Sequence, residues 1–284
     1  MRREIRLLID LGLLPFHIGA QPAPTNQDFP DVLPFEVGVD MGVKLLLQVP
    51  NREVATHLRK AYAAGSMIGT PLGEDGIARR YAEDFLTFLT RSLPGRVGSS
   101  LLEIGCGSGY LLSRLKQQGF EVLGIEPGTQ GQMGAEKYGV EIIQEAFPGE
   151  SVAPKDGFDI IVHYGVLEHM EDPISFLRSQ IGWLSEAGLM IFAVPDCEGY
   201  IQRGDISMFN HEHWSYFTPN SLRNTAGRAG VEILHLEKAD YGGALYCVAK
   251  KADTAIEAVA YAGLSETYGE KIGQSVSKVS AFFR

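Results

Sequence analysis

Hydrophobic and polar positions between residues 100 and 250 follow two alternating periods. Short continuous apolar runs, typical of buried strands, are separated by segments whose apolar residues recur every three or four positions, typical of helices. The predicted strands are 101–104, 121–125, 140–143, 158–163, 189–194, 231–236 and 244–250, and the predicted helices are 110–118, 131–138, 174–184 and 219–229. Repeated strand–helix units predict an α/β protein with a seven-stranded, doubly wound sheet. No helix separates the last two strands, so we expect that pair to be antiparallel.

The part of the chain before this sheet has a different hydrophobic pattern. Its apolar runs are short and interrupted by prolines, at 5–9, 32–37 and 43–49, with a proline-rich loop at 21–30. This pattern predicts a small β-containing module, followed by helices at 52–64 and about 76–93. We therefore divide the chain into an N-terminal module at 1–75, a sheet domain at 76–252 and a helical tail at 253–284.

Composition and charge exclude several classes of protein. The chain has 284 residues with 25 Lys and Arg against 35 Asp and Glu, and a net charge of −10 argues against a nucleic-acid partner. Its three cysteines contain no CxxC pair, which argues against disulfides and structural zinc. No apolar run reaches the roughly 18 residues of a membrane span, and charged residues interrupt the first 20 positions, unlike a signal peptide. We expect a cytoplasmic protein with no membrane partner, and no pattern predicts its oligomeric state.

A glycine-rich turn follows the first strand of the sheet. The strand 101–104 leads into Gly105-Cys106-Gly107-Ser108-Gly109, and Glu126 ends the next strand. Such glycines allow a sharp turn and close approach of a ligand, and the carboxylate can accept hydrogen bonds from ribose hydroxyls. A dinucleotide fingerprint requires glycine or alanine where Tyr110 stands. Glu103 would also repel a diphosphate, whereas it would attract the sulfonium and amino group of S-adenosylmethionine.

A histidine-rich segment, 209–219, follows the fifth strand and leaves the same edge of the sheet. In an extended conformation His211 and His213 share one face, and Asn210 and Glu212 share the other. Histidine can remove a proton near neutral pH, so one of these rings could serve as a base. Two alternatives remain open, a structural role and a metal site, although no third metal ligand with suitable spacing is evident.

These motifs together resemble those of class I S-adenosylmethionine-dependent methyltransferases, whose fold is Rossmann-like. The resemblance is carried by 103–109, by Glu126-Pro127 and by 166–173. It implies S-adenosylmethionine as cofactor, with Glu103 and Gly105 holding its amino-acid part, Glu126 its ribose and 145–147 its adenine. The complete set of cofactor-binding residues that we infer is Glu103, Gly105, Cys106, Gly107, Gly109, Tyr110, Leu111, Glu126, Pro127, Ala146, Phe147 and His163.

A narrower resemblance connects the chain to the nucleotide-sugar C-methyltransferases of deoxysugar biosynthesis. It is carried by segments 8–15, 211–217 and 241–245. That family has zinc-binding cysteines in its N-terminal module and a further C-terminal domain, whereas no cysteine precedes Cys106 here and the chain stops as that domain would begin. We therefore predict a module without metal. The family's active-site tyrosine corresponds to Asn210, which puts C-methylation of a keto-sugar in doubt.

The resulting prediction is an enzyme that methylates a small-molecule acceptor, with a sugar or nucleotide-sugar as one candidate. The alternatives are an O-methyltransferase of another secondary metabolite and a non-catalytic protein that binds S-adenosylmethionine. His213 is the first candidate for the general base, His169 is the second and Glu212 is the residue that orients them; His211 and Asn210 complete the predicted catalytic set.

Overall fold

The computed structural model describes residues 3–16, 29–63, 72–149, 157–254, 256, 270–271 and 274. The strands are β1 (Ile5–Pro15), β2 (Val32–Asp40), β3 (Leu45–Gln48), β4 (Ser100–Ile104), β5 (Glu121–Ile125), β6 (Ile142–Ile143), β7 (Phe158–Tyr164), β8 (Leu184–Pro195), β9 (Ser215–Tyr216), β10 (Val231–Lys238) and β11 (Ala244–Lys251). The helices are α1 (Arg52–Ala63), α2 (Gly76–Ser92), α3 (Tyr110–Gln117), α4 (Gln130–Tyr138), α5 (Pro173–Ile181), α6 (Glu198–Arg203) and α7 (Pro219–Ala229), with a 3₁₀ turn at Leu167–His169. Most of the predicted loop 21–30 and of the predicted tail lies outside the described residues.

The larger sheet has the predicted seven strands, in the order β10-β11-β8-β7-β4-β5-β6. Strand β4 pairs in parallel with β5 on one side and β7 on the other, so the strand order reverses at the carboxyl end of β4. Ligands of open α/β sheets bind in the crevice at such a switch point. Strand β11 is antiparallel to β10, as expected for two strands joined without a helix, and it is also antiparallel to β8.

Helices cover both faces of this sheet. Helix α2 buries Phe85 and Leu89 against one face, and α5 and α7 bury residues such as Leu177 and Leu222 against the other. The helix predicted to follow Thr218 is confirmed, because its N-terminus carries a capping box with Pro219 in the first turn. The sheet is therefore the middle layer of an α/β/α arrangement.

The N-terminal module is a four-stranded antiparallel sheet in the order β1-β2-β3-β9. Its fourth strand comes from the histidine-rich segment, because Leu46 and Leu47 of β3 pair with Tyr216 and Ser215. The predicted boundary at residue 75 therefore does not separate two independent sheets. Instead, the chain after β8 passes into the N-terminal module, where it forms β9, and so connects that module to the main sheet.

Several predicted element bounds were wrong. The helix predicted over 174–184 ends at Ile181, and β8 begins earlier than predicted, at Leu184. Helix α6 was not predicted, and β6 has only two residues. The apolar residues around Trp183 satisfy both periods, so the pattern alone could not separate the helix from the strand. Among the described residues, no helix combines the length and the apolar character needed to cross a membrane.

Candidate active site

The glycine-rich turn connects β4 to α3 at the switch point. Gly105, Gly107 and Gly109 all have left-handed backbone angles, with φ of 67°, 53° and 71°. The amide of Gly105 donates to the carbonyl of Ile125 at 2.8 Å, which anchors the turn to the neighbouring strand. A side chain at Gly105 would clash with Val166, so the sequence requires glycine there for both conformation and space.

Glu126 is tied to the glycine-rich turn by hydrogen bonds. Its Oε2 atom accepts from the amide of Gly107 at 3.0 Å, and its Oε1 atom accepts from the amide of Gly128 at 2.8 Å. The Nε2 atom of Gln130 also donates to Oε1, at 2.9 Å. Burial raises the pKa of Glu126, and the two backbone amides oppose that rise. The carboxylate thus occupies a fixed position beside the turn.

Glu103 lies near the end of β4 and is almost completely buried, with 3% of its surface exposed. Its Oε2 atom has no hydrogen-bond partner among the described residues. Burial, together with the charge of Glu126, raises the pKa of the Glu103 carboxyl to about 8. A buried carboxyl with an unsatisfied oxygen is costly, and a cationic ligand would remove that cost.

Other predicted cofactor residues have different surroundings. Leu111 and Cys106 pack in the hydrophobic core beside α2, and the Tyr110 hydroxyl accepts a hydrogen bond from Arg114 at 2.9 Å. Pro127 and Ala146 are exposed, and Phe147 packs against the ring of Trp183, with centroids 4.9 Å apart.

His163 is fully buried and stacks on Phe192, with centroids 4.8 Å apart. A second ring, that of Phe176, lies 5.5 Å from it. These neighbours place His163 in the core between β8 and α5, so they give no support to its predicted role in cofactor binding.

Gly134, on α4, supports the glycine-rich turn and was not predicted from the sequence. A Cβ atom at this position would overlap the backbone carbonyl of Ser108. The helix can therefore approach the turn closely only with glycine here. A glycine within a helical pattern was the signal available in the sequence.

The histidine-rich segment does not have the extended conformation on which its predicted faces depended. Residues 211–212 form a turn, and His211 and His213 point to different surroundings. His211 is buried, with its Nε2 atom 3.2 Å from the carbonyl oxygen of Leu33 and its ring 5.1 Å from that of Phe35. It joins the segment to the N-terminal sheet, so its surroundings favour the structural alternative.

Asn210 supports the same turn. Its Oδ1 atom accepts from the backbone amide of His213 at 3.0 Å, and its backbone carbonyl accepts from the hydroxyl of Tyr216 at 3.2 Å. The residue therefore positions His213 through the backbone. These bonds explain how asparagine can hold the turn at this position.

His213 and His169 lie together at the carboxyl edge of the sheet. Their ring centroids are 4.8 Å apart, and the planes are nearly perpendicular. The Nδ1 atom of His169 lies 3.1 Å from the carbonyl oxygen of Glu212 and 3.1 Å from the hydroxyl of Tyr62. Glu212 therefore orients His169 rather than His213. Tyr62 belongs to α1, so the N-terminal module contributes directly to this site.

The electrostatic environment keeps both imidazoles neutral at pH 7. Burial lowers the pKa of His169 to about 4. Burial and the neighbouring His169 lower the pKa of His213 to about 3. Burial also raises the pKa of Tyr62, which keeps its hydroxyl protonated. Each neutral imidazole has one nitrogen lone pair that can accept a proton or bind a metal ion.

Glu168 lies beside these histidines, at a position for which the sequence pattern predicted no role. Its Oε1 atom is 4.0 Å from the Nε2 atom of His169, and only 3% of the residue is exposed. Its backbone carbonyl accepts from the amide of Trp214 at 2.8 Å, which holds the 3₁₀ turn against the histidine-rich segment. Glu168 and Tyr62 could not be recognised from spacing, because each reaches the site through tertiary contacts.

The residues around the switch point fit S-adenosylmethionine. Glu103 offers a buried, unsatisfied carboxyl to a cation, the glycines leave backbone exposed to a ligand, and Glu126 presents a fixed carboxylate. His169 follows β7 and His213 follows β8 and α6, so both leave the same edge of the sheet. Along the carboxyl edge of the sheet, the glycine-rich turn therefore marks the cofactor end and the histidine pair marks the candidate acceptor end.

Comparisons with known proteins agree with this geometry. A family model described as a methyltransferase domain matches residues 75–236, more than half of the chain. The chain is 28% identical over 177 residues to a ubiquinone biosynthesis O-methyltransferase of Ruegeria pomeroyi, covering 57% of this chain and 71% of that protein. It is 29% identical over 161 residues to the C-methyltransferase NovU of Streptomyces niveus, covering 55% of this chain and 38% of that protein.

Solved structures show the same fold. The 1,6-didemethyltoxoflavin-N1-methyltransferase of Burkholderia thailandensis, with bound substrate and S-adenosylhomocysteine, has a TM-score of 0.55 at 15% identity and covers 82% of this chain and 100% of that one. A DhpI complex has a TM-score of 0.52 at 18% identity, covering 70% of this chain and 96% of that one. The glycine-rich turn, the seven-stranded sheet and the family match together show that the chain belongs to the S-adenosylmethionine-dependent methyltransferases.

Proposed function

We propose that this enzyme methylates a small polar acceptor bound between the histidine pair and the glycine-rich turn. The observation that carries the proposal is the position of His213 and His169, which meet at the carboxyl edge of the sheet with Tyr62 from the N-terminal module. A hydroxylated or keto-sugar, free or attached to a nucleotide, is the first acceptor class, because hydroxyl groups match these polar side chains. The resemblance of segments 8–15 and 211–217 to nucleotide-sugar methyltransferases supports it.

Three groups of residues hold the cofactor in this proposal. Glu103 binds the ammonium group of its amino-acid end, Glu126 binds the ribose hydroxyls, and Phe147 packs against the adenine. The glycines from Gly105 to Gly109 let the backbone approach it closely. When bound, S-adenosylmethionine supplies an electrophilic methyl group.

The chain's own residues align the acceptor, exclude water and accept its proton. His213 takes the proton from the reacting hydroxyl or carbon, and His169 lies beside it as the second candidate base. The Glu212 carbonyl fixes the ring of His169. Alignment of donor and acceptor can contribute about 7–11 kcal/mol, and a positioned base typically contributes about 10²–10⁴-fold.

A second candidate is O-methylation of a hydroxylated ring. Asn210 stands where the resemblance places a catalytic tyrosine, and asparagine cannot supply the acidic hydroxyl of that residue. O-methylation requires removal of one hydroxyl proton, which a single neutral histidine can accomplish. The similarity to ubiquinone biosynthesis O-methyltransferases supports this candidate.

The test follows methyl transfer from labelled S-adenosylmethionine to a panel of nucleotide-sugars, keto-sugars and catechols. We expect His213→Ala to lower turnover about 10²–10⁴-fold while calorimetry shows unchanged cofactor binding. The control is His235→Ala, because His235 is exposed on β10 and bonds Glu237. Full turnover in the His213 variant would contradict its role as base. Tight binding of NAD with no response to S-adenosylmethionine would contradict the cofactor site.

A further inference from the structure

Three side chains at the acceptor end of the crevice have the composition of a metal site. Glu168, His169 and His213 each offer one ligand atom, and these atoms all lie within 4.8 Å of one another. In a tetrahedral zinc site with bonds of about 2.1 Å, the ligand atoms lie about 3.4 Å apart. Separations of up to 4.8 Å must therefore shorten by as much as about 1.4 Å, which requires these side chains to rotate when the metal binds.

The carboxyl of Glu168 is the first independent indication of a cation. The residue is more than nine-tenths buried, and its Oε2 atom has no hydrogen-bond partner among the described residues. Its Oε1 atom faces the Nε2 atom of His169 at 4.0 Å, too far for a hydrogen bond. A buried carboxyl oxygen without a hydrogen-bond partner has lost its hydration without replacement, and coordination to a cation would offset that free-energy cost.

The orientation of His169 is the second indication. In the tautomer with the proton on Nδ1, His169 donates to the Glu212 carbonyl at 3.1 Å, an oxygen that can only accept, and the Tyr62 hydroxyl accepts from the same proton. The lone pair then lies on Nε2, the nitrogen that faces Glu168. Metal-binding histidines commonly donate their other N–H to a backbone carbonyl or carboxylate, which fixes the ring in this manner.

We propose that Glu168, His169 and His213 bind one divalent transition-metal ion of the zinc type. Two imidazoles and one carboxylate form a ligand set that such ions accept, and three protein ligands leave a coordination position for water or an acceptor oxygen. The sequence did not indicate this site, because Glu168 and His169 come from a different segment than His213, and the other histidine of the His-x-His pair, His211, is not a ligand. Glu168 and His213 are 45 positions apart in the chain.

The metal ion would use the same lone pairs that the proposed function assigns to proton removal. His213 therefore cannot accept a proton while it binds the metal ion. This consequence rests on the proposed function. Metal binding itself does not depend on methyl transfer. It can be measured without cofactor or acceptor, so a failure of one proposal is distinguishable from a failure of the other.

The experiment titrates the untagged full chain with Zn²⁺ by calorimetry, without cofactor. We expect one zinc ion per chain, and at least about 100-fold weaker binding in His213→Ala and in Glu168→Gln. His235→Ala is the matched control and should bind as the wild type does. Circular dichroism and S-adenosylmethionine binding on the same samples report whether each variant is folded.

A second measurement on the wild type does not depend on any variant. The visible absorption of bound Co²⁺ reports the number and type of its ligands, and we expect a spectrum of low coordination number with nitrogen ligands. Equal zinc affinity in wild type and His213→Ala would overturn the site. So would the absence of stoichiometric zinc or cobalt binding in a wild-type chain that still binds S-adenosylmethionine.

Discussion

The hydroxyl of Tyr62 lies 3.1 Å from the Nδ1 atom of His169, although the two residues are 107 positions apart in the chain. Tyr62 is on α1 of the N-terminal module, and His169 follows β7 of the main sheet. The contact joins the two parts of the chain at the proposed site of proton transfer. The N-terminal module therefore contributes a side chain to the proposed acceptor site.

Removal of this hydroxyl should slow methyl transfer without affecting the cofactor. Tyr62→Phe retains the ring but loses one contact that orients His169. A hydrogen bond contributes about 0.5–1.5 kcal/mol, so we expect turnover to fall by up to about tenfold. S-adenosylmethionine affinity measured by calorimetry should be unchanged. Tyr200→Phe is the control, because Tyr200 is exposed on α6. Equal turnover in the two variants would show that Tyr62 does not position His169.

Affinity for S-adenosylmethionine should rise with pH through the neutral range. Burial raises the pKa of Glu103 to about 8, so the carboxyl of the cofactor-free protein is protonated at pH 7. The cationic cofactor binds the ionised form more tightly, and binding at pH 7 should therefore release a proton. Calorimetry between about pH 6 and 7.5, below the pKa of the cofactor's own amino group, measures this change.

The matched control for this pH dependence is Glu103→Gln, which has no ionisable group. We expect weaker binding with no proton release in that variant, shown by equal heats in buffers of different ionisation enthalpy. Ionisation of this buried carboxyl also lowers the free energy of unfolding as pH rises. The folded protein retains this proton up to about pH 8, whereas the unfolded chain loses it near pH 4.5. If the affinity of Glu103→Gln for S-adenosylmethionine still changed with pH, a group other than Glu103 would be responsible for the pH dependence.

Substitution of Gly134 on α4 by alanine should disrupt the cofactor site by displacing the backbone of the glycine-rich turn. In Gly134→Ala the added Cβ overlaps the carbonyl of Ser108, and the glycine-rich turn must move. We expect the free energy of unfolding to fall by about 1–3 kcal/mol and S-adenosylmethionine affinity to fall at least about tenfold. Gly182→Ala is the control, since its Cβ would lie 3.7 Å from the nearest atom, an ordinary contact. Unchanged affinity in Gly134→Ala would show that the turn tolerates displacement.

His211 should contribute to stability rather than to chemistry. Its Nε2 atom contacts the Leu33 carbonyl at 3.2 Å, and its ring packs against Phe16 and Phe35. Truncation in His211→Ala leaves a cavity and removes the contact with the Leu33 carbonyl, so urea unfolding should show a loss of about 2–4 kcal/mol. The same change at exposed His235 should cost less than about 0.5 kcal/mol. A stable His211→Ala variant that had lost methyl transfer would restore His211 to the catalytic set.

The sequence by itself determined the seven-stranded sheet and the position of the glycine-rich turn after β4. The turn has left-handed glycines at alternate positions, Gly105, Gly107 and Gly109, so its signal lies within a few neighbouring residues. Strand and helix periods differ clearly enough to place most elements. They failed near Trp183, where a helix and a strand are separated by only two residues.

Only the tertiary structure decided how the acceptor end is assembled. An extended segment would have placed His211 beside His213, but the turn at 211–212 directs His211 into the N-terminal sheet. The structure also brings Tyr62 and Glu168 to His169 from other parts of the fold. Neighbouring positions specify the local angles of a turn, whereas contacts between distant side chains depend on how whole elements pack. The glycine-rich turn was therefore readable in advance, and the histidine cluster was not.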